Sequence, residues 1–201
     1  MKRVVIFGAT GNTGLCVLRS AVENGLDVRA FVRDTAKVPK DLKNKIESVV
    51  GDVTEADQVA KAIAGRDAVV VVLGTRNDLS PTTVLSHGLK NIVDAMKTHN
   101  VELISVCLSA FLFYEPGAVP AIFKDLNADH KRMFDMIKAS ELKWVAVLPP
   151  HIADTPKSKY TVKFDSSPGR AISKYDLGAF LIECLENPEY HQKICGIASA
   201  T

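Results

Sequence analysis

The chain has 201 residues, 47% of them hydrophobic, with 25 Lys or Arg set against 23 Asp or Glu. That length supports one core, and hence one domain over 1–201; the balanced charge and the ordinary count of 12 Gly and 9 Pro exclude collagen-like, disordered and disulfide-scaffold chains. A net charge of +2 also argues against a nucleic-acid partner, whose binding face would carry a large basic excess.

At the start, Met1-Lys2-Arg3 precede an apolar run, but only Val4 to Phe7 stand before Gly8. That is too short for a secretory or membrane-spanning segment, so a cytoplasmic protein with no membrane partner is expected. The four cysteines, Cys16, Cys107, Cys184 and Cys195, show no CxxC spacing and read as buried thiols, with no metal site.

Short β-branched runs then alternate with helical patterns. Strands are predicted at Val4–Phe7, Asp27–Val32, Ile46–Val50, Ala68–Leu73, Leu103–Leu108 and Trp144–Leu148, and helices at Thr13–Asn24, Ala56–Ala64, Pro81–His99 and Phe123–Ser140. Strict alternation means parallel strands joined by crossover helices, an α/β doubly wound sheet flanked by helices. Gly25 stops the first helix, and Ser80-Pro81 reads as an N-cap with proline in the first turn of the third. After Pro149-Pro150 the pattern loosens into a loop, a strand at Tyr160–Phe164 and a helix from about Lys174 to Leu185. This C-terminal part from about 150 is expected to supply the edge of a substrate pocket.

Between the first strand and first helix lies Gly8-Ala9-Thr10-Gly11-Asn12-Thr13-Gly14. The first glycine permits a tight turn, the second lets a pyrophosphate approach the backbone, and the third allows close helix packing while the helix N-terminus faces the anion. The second strand ends in Val32-Arg33-Asp34, with Lys37 a turn further on. A cation where an NAD site places a carboxylate predicts NADPH, unless Asp34 rather than Arg33 reaches the ribose. Later strand ends complete the cleft: Asp52 and Val53 for adenine, then Gly74, Thr75 and Arg76 along the dinucleotide.

The glycine spacing is that of short-chain dehydrogenases, but their Tyr followed four residues later by Lys is absent, since none of Tyr114, Tyr160, Tyr175 and Tyr190 has Lys at that offset. Candidates near the cleft are Ser109 as a hydrogen-bond donor, His151 at a strand end, and His130, which Leu126, Met133 and Ile137 place on the inward face of its helix, where it is either core or ligand-facing. Phe111, Leu112, Phe113 and Tyr114 suggest an aromatic shelf with a Pro/Gly lid at Glu115 to Pro120.

The motifs at 8–14 and 32–34, together with Leu73-Gly74-Thr75-Arg76-Asn77-Asp78-Leu79-Ser80-Pro81-Thr82-Thr83-Val84, Ser109-Ala110-Phe111-Leu112 and Pro149-Pro150-His151-Ile152, resemble the biliverdin-IXβ reductase, or NADPH flavin reductase, family from the first strand to about residue 187. The resemblance implies a monomeric Rossmann-like enzyme that passes hydride from NADPH to flavins and to biliverdin isomers other than IXα, linear tetrapyrroles that enter haem catabolism. It places Gly8, Thr10, Gly11, Asn12, Thr13 and Arg33 on the phosphates, and Ser109, His130 and His151 in the substrate pocket. Leu108, Tyr114 and a lid poor in basic residues depart from the family pattern. The alternative is a redox-sensing NADP-binding protein without turnover.

Overall fold

In the computed structural model, which describes residues 1–200, the alternating segments assemble into an eight-stranded sheet. In chain order the elements are β1 (Arg3–Phe7), α1 (Asn12–Glu23), β2 (Asp27–Val32), β3 (Glu47–Val50), α2 (Ala56–Ile63), β4 (Ala68–Val71), α3 (Val84–Thr98), β5 (Leu103–Cys107), α4 (Lys124–Lys138), β6 (Lys143–Leu148), β7 (His151–Ala153), β8 (Tyr160–Phe164), β9 (Ala171–Ser173), α5 (Lys174–Glu183) and β10 (Lys193–Ser199). The sheet order is β3-β2-β1-β4-β5-β6-β10-β8, parallel throughout except for β8, which runs antiparallel to β10. Chain direction across the sheet reverses between β1 and β4, the switch point at which doubly wound folds hold ligands beyond the strand ends.

The strands are apolar on both faces because both faces are covered. In β1, Val4 and Ile6 join the cluster beneath α1 and α5, while Val5 and Phe7 join the one beneath α2, α3 and α4; all four are fully buried. Gly25 ends α1 as expected, at φ +70°, with its N–H donating to the Val22 carbonyl and that of Leu26 to Ala21. Close approach of α1 and α5 requires Gly178, where a Cβ would lie 2.7 Å from the Cys16 Cβ. Among the described residues no helix is long and apolar enough to cross a membrane.

Two expectations are corrected. The third helix begins at Val84 rather than Pro81, because its N-terminus is capped from outside its own segment. The Asp129 carboxylate on α4, fully buried, accepts from the Leu85 and Ser86 amides at 3.1 and 3.3 Å, while Arg132 pairs with Asp129 and donates to the Thr82 carbonyl at 2.7 Å. Asp129→Ala strands those amides and is expected to cost about 3 kcal/mol, a fall in Tm of roughly 6–12 °C in a thermal melt.

The second correction concerns the chain beyond residue 150. It supplies more of the sheet than the one strand predicted there: β10 inserts beside β6 and carries β8, and α5 packs on α1. Cys195 and Ile197 of β10, a strand of seven residues, are fully buried, which ties the strand to the core. Among the described residues only β7 and β9, paired with each other in parallel, stand apart from the main sheet.

Candidate active site

Strand registers bring the sequence motifs into one row. Phe7 is level with Phe31 and Val71, Val71 with Val106, and Cys107 with Val147. The segments leaving the carboxyl ends of β2, β1, β4, β5 and β6 therefore lie side by side, carrying Arg33, Gly8, Gly74, Ser109 and His151.

The glycine loop fits a diphosphate by what it leaves out. Gly8 has φ +83°, and a Cβ there would sit 2.2 Å from the Val72 carbonyl oxygen. At Gly14 it would sit 2.1 Å from the Gly8 oxygen, and at Gly11 3.2 Å from the same atom. Gly11 precedes α1 without a side-chain cap, and the first turn holds no acidic residue. The N–H groups of that turn, in Asn12, Thr13 and Gly14, are left to an anion by the geometry of any helix start. Thr13 is nearly buried, whereas Asn12 is exposed and Thr10 half-exposed beside the loop.

At the end of β2, Arg33 and Lys37 are exposed and neither has an ion pair among the described residues. Asp34 is occupied: its carboxylate accepts from the Ala36 amide at 2.9 Å and caps the turn Thr35–Lys37. Beyond β3, Asp52 accepts from the backbone and hydroxyl of Thr54 at 2.9 and 2.7 Å, bonds that hold its carboxyl below the usual range. Val53 is fixed from α3, with the Asn91 amide donating to its carbonyl at 3.0 Å and Gly88 leaving room for its methyls, which a Cβ would meet at 2.7 Å. Neither Asn91 nor Gly88 was legible in the sequence as part of this end of the cleft.

After β4 the chain turns through Gly74 and Thr75 to Arg76 and Asn77, both left-handed at φ 54° and 69°. Two such residues in succession are uncommon outside strained functional loops. A Cβ at Gly74 would meet nothing within 4 Å, so the protein's own packing does not require glycine there.

The other end of the row is built by β5 and β6. The Leu108 amide donates to Val147 and the Ala110 amide to Pro149, at 2.8 and 2.9 Å, which locks together the segments carrying Ser109 and His151. Ser109 Oγ accepts from the Phe111 amide at 3.2 Å, so its proton remains available to donate. His151 is exposed, and its backbone N–H reaches the Arg170 carbonyl at 3.3 Å across the β7–β9 pair. Phe111 stacks on Phe123 at 5.1 Å and meets Tyr114 edge-on at 5.6 Å, and Tyr114 is half-exposed beside them. His130 is half-buried on α4, and burial lowers its pKa to about 4, so it is a neutral imidazole near pH 7.

All four cysteines are buried and free, as expected. Burial pushes Cys107, next to the site in sequence, up to about 12, which leaves it without nucleophilic thiolate. A groove of about 820 Å³ at the opposite, amino end of the strands is less suited to chemistry. Its carboxylates are already paired, Asp67 with Arg3, Glu102 with Lys143 and Glu186 with the Met1 amine.

Known proteins share both motif and architecture. An NAD(P)H-binding family model matches residues 8–188. The chain is 32% identical over 108 residues to an uncharacterised chloroplastic protein of Arabidopsis thaliana, covering 50% of this chain and 39% of that one. It is 22% identical to an oxidoreductase of Pestalotiopsis microspora, over all of this chain and 86% of that one. The chain spans less than half the length of the first curated relatives it matches. Its fold is also that of the oxidoreductase ylbE from Lactococcus lactis, at a TM-score of 0.86 and 19% identity, with 100% and 92% of the two chains covered. With most of its length matched and the glycine cradle in place, the chain belongs to the NAD(P)H-binding family.

Proposed function

We propose that this protein is an NADPH-dependent reductase that passes hydride to flavins and to linear tetrapyrroles of the biliverdin-IXβ type. The observation that carries the reading is the aromatic shelf of Phe111, Phe123 and Tyr114 beside Ser109, where the β5 and β6 ends meet. A planar conjugated acceptor gains stacking there, worth about 0.5–1.5 kcal/mol per aromatic pair beyond the area it buries. Preference for the 2'-phosphate rests on Arg33, left unpaired while Asp34 caps its own turn.

Bound NADPH would supply the hydride. The glycine loop and α1 would hold the diphosphate, and Asp52 and Val53 the adenine. Phe111 and Tyr114 would orient the acceptor, and the Ser109 hydroxyl, with its proton free, would donate to it. No Tyr/Lys pair is present to deliver a proton, and His151 is open to water. Solvent therefore protonates the reduced product.

The test is loss of NADPH absorbance with FMN, biliverdin-IXβ and biliverdin-IXα compared side by side. Turnover with the first two is expected, and Ser109→Ala or His151→Ala should each lower it less than about tenfold. A loss of 100-fold or more, the scale of a missing general acid, would reassign the proton to that residue. Oxidation with none of the three would instead make the protein a nucleotide-binding redox sensor.

A further inference from the structure

Many surface cations of the chain pair with a carboxylate close by, as Lys90 does with Asp94 and Lys131 with Asp135. The connection from β2 to β3 departs from that pattern. Within residues 33–45 five cations, Arg33, Lys37, Lys40, Lys43 and Lys45, stand against two carboxylates, Asp34 and Asp41, so this one segment carries more positive charge than the +2 of the whole chain. Neither carboxylate forms an ion pair with any of the five. Asp34 accepts from the Ala36 amide, and Asp41 is held by Arg19 of α1 at 2.6 Å. All five cations are exposed, and none has an ion pair among the described residues.

The segment is nonetheless fixed. Val38 and Leu42 are buried in the cluster beneath α1, and the Leu42 and Lys43 amides both donate to the Pro39 carbonyl, at 3.0 and 3.2 Å. With those two apolar side chains turned in, the lysines around them are left on the outside. Because β2 and β3 are parallel, the connection runs from the carboxyl end of the sheet to its amino end, alongside α1. The Arg19–Asp41 pair sets the scale. Arg19 lies two turns beyond Asn12, which at 1.5 Å per residue puts the level of Asp41 about 10 Å down the helix from the turn that faces the diphosphate. The cations thus form one descending row that begins at Arg33, beside the ribose end of the cleft.

We propose that Lys40, Lys43 and Lys45 extend the site of Arg33 into an electrostatic track that captures NADPH in preference to NADH through the rate of association. The inference rests on the NADPH reading and adds how the selection is made. A phosphate monoester brings a charge of about −1.5 to −2 near pH 7. NADPH carries this on top of its diphosphate, so it feels a cationic row nearly twice as strongly as NADH does. At about 10 Å and beyond, these lysines act through the field rather than by contact. A field of that range speeds the encounter and leaves the bound complex as it was.

Stopped-flow binding of NADPH and NADH to the full-length chain, read from dihydronicotinamide fluorescence, tests this. Salt is varied from about 10 mM to about 1 M, over which the screening length falls from about 30 to about 3 Å. At low salt the triple variant Lys40→Gln, Lys43→Gln, Lys45→Gln is expected to bind NADPH roughly tenfold more slowly than the native protein and NADH roughly threefold more slowly, with koff within about twofold for both. At high salt native and variant converge. Lys97, Lys163 and Lys193 supply the control: they are exposed, make no ion pair among the described residues, and lie near the end of α3, on the outer strand β8 and at the start of β10. Changing all three to Gln alters the net charge equally and should leave kon within about twofold. An unchanged kon in the first variant, an equal loss in the control, or an effect confined to koff overturns the proposal. A native protein that does not bind NADPH is a different result: the cofactor reading fails, and the track falls with it.

Discussion

Replacing Arg33 with Asp is expected to raise the KM for NADPH about 100-fold or more while leaving that for NADH within about threefold. A charge-assisted bond from arginine to phosphate contributes on the order of 1.5–3 kcal/mol, and a carboxylate in its place adds repulsion, so two factors of ten in affinity are at stake. The introduced Asp can instead accept from the ribose 2'-hydroxyl, as NAD sites do. Arg33 is well placed for this experiment because it has no ion pair to lose among the described residues, so a change in cofactor preference reports on the cofactor. Asp34 cannot readily take over the ribose, since its carboxylate is held by the Ala36 amide. Initial rates at varied NADPH and NADH decide the matter. Equal losses for the two cofactors would remove Arg33 from the phosphate and leave the discrimination to Lys37 or to none.

Gly14→Ala is expected to abolish useful NADPH binding, with an affinity loss of 100-fold or more in a fluorescence titration, in a protein whose far-UV spectrum is unchanged. The added Cβ would meet the Gly8 oxygen at 2.1 Å and the Ala9 carbonyl group at 2.8 and 2.9 Å, all backbone atoms that have no rotamer to give way. The loop must open, and the amides of the first turn of α1 lose their shared aim. Gly11→Ala meets the same oxygen at 3.2 Å and should disturb the loop itself less. Native affinity in Gly14→Ala would mean that the diphosphate is held elsewhere.

Legibility from sequence followed the range of the interaction that fixes each feature. Apolar runs such as Val69-Val70-Val71 and the glycine spacing at 8–14 are local, and they placed the parallel sheet and the nucleotide end of the cleft. The start of α3 was misplaced because Ser80-Pro81 is a good local signal defeated by a distant carboxylate: Asp129 caps from 43 and 44 residues away. β7 and β9 have three residues each, too few for a periodicity to register. β10 was missed because Gly196 interrupts its run; a Cβ there would strike the Ser166 carbonyl oxygen at 2.0 Å, a reason visible only once the chain has folded back. Ser109 and His151 were read from strand ends, and the structure sets both just beyond the ends of β5 and β6.

The place of β10 in the sheet also bears on how the protein is made. Of the ten strands described it is the last to leave the ribosome, yet it is not an outer strand: it pairs with β6 on one side and β8 on the other. Until it arrives, β6 presents an open parallel edge whose residues Trp144 to Leu148 are all buried in the finished sheet, the kind of edge that invites pairing with other chains. The nucleotide half of the sheet can assemble as it emerges, whereas the half that carries Ser109 and His151 stays adhesive until β10 has emerged. Demand for chaperones during biosynthesis should therefore concentrate on this one late seam.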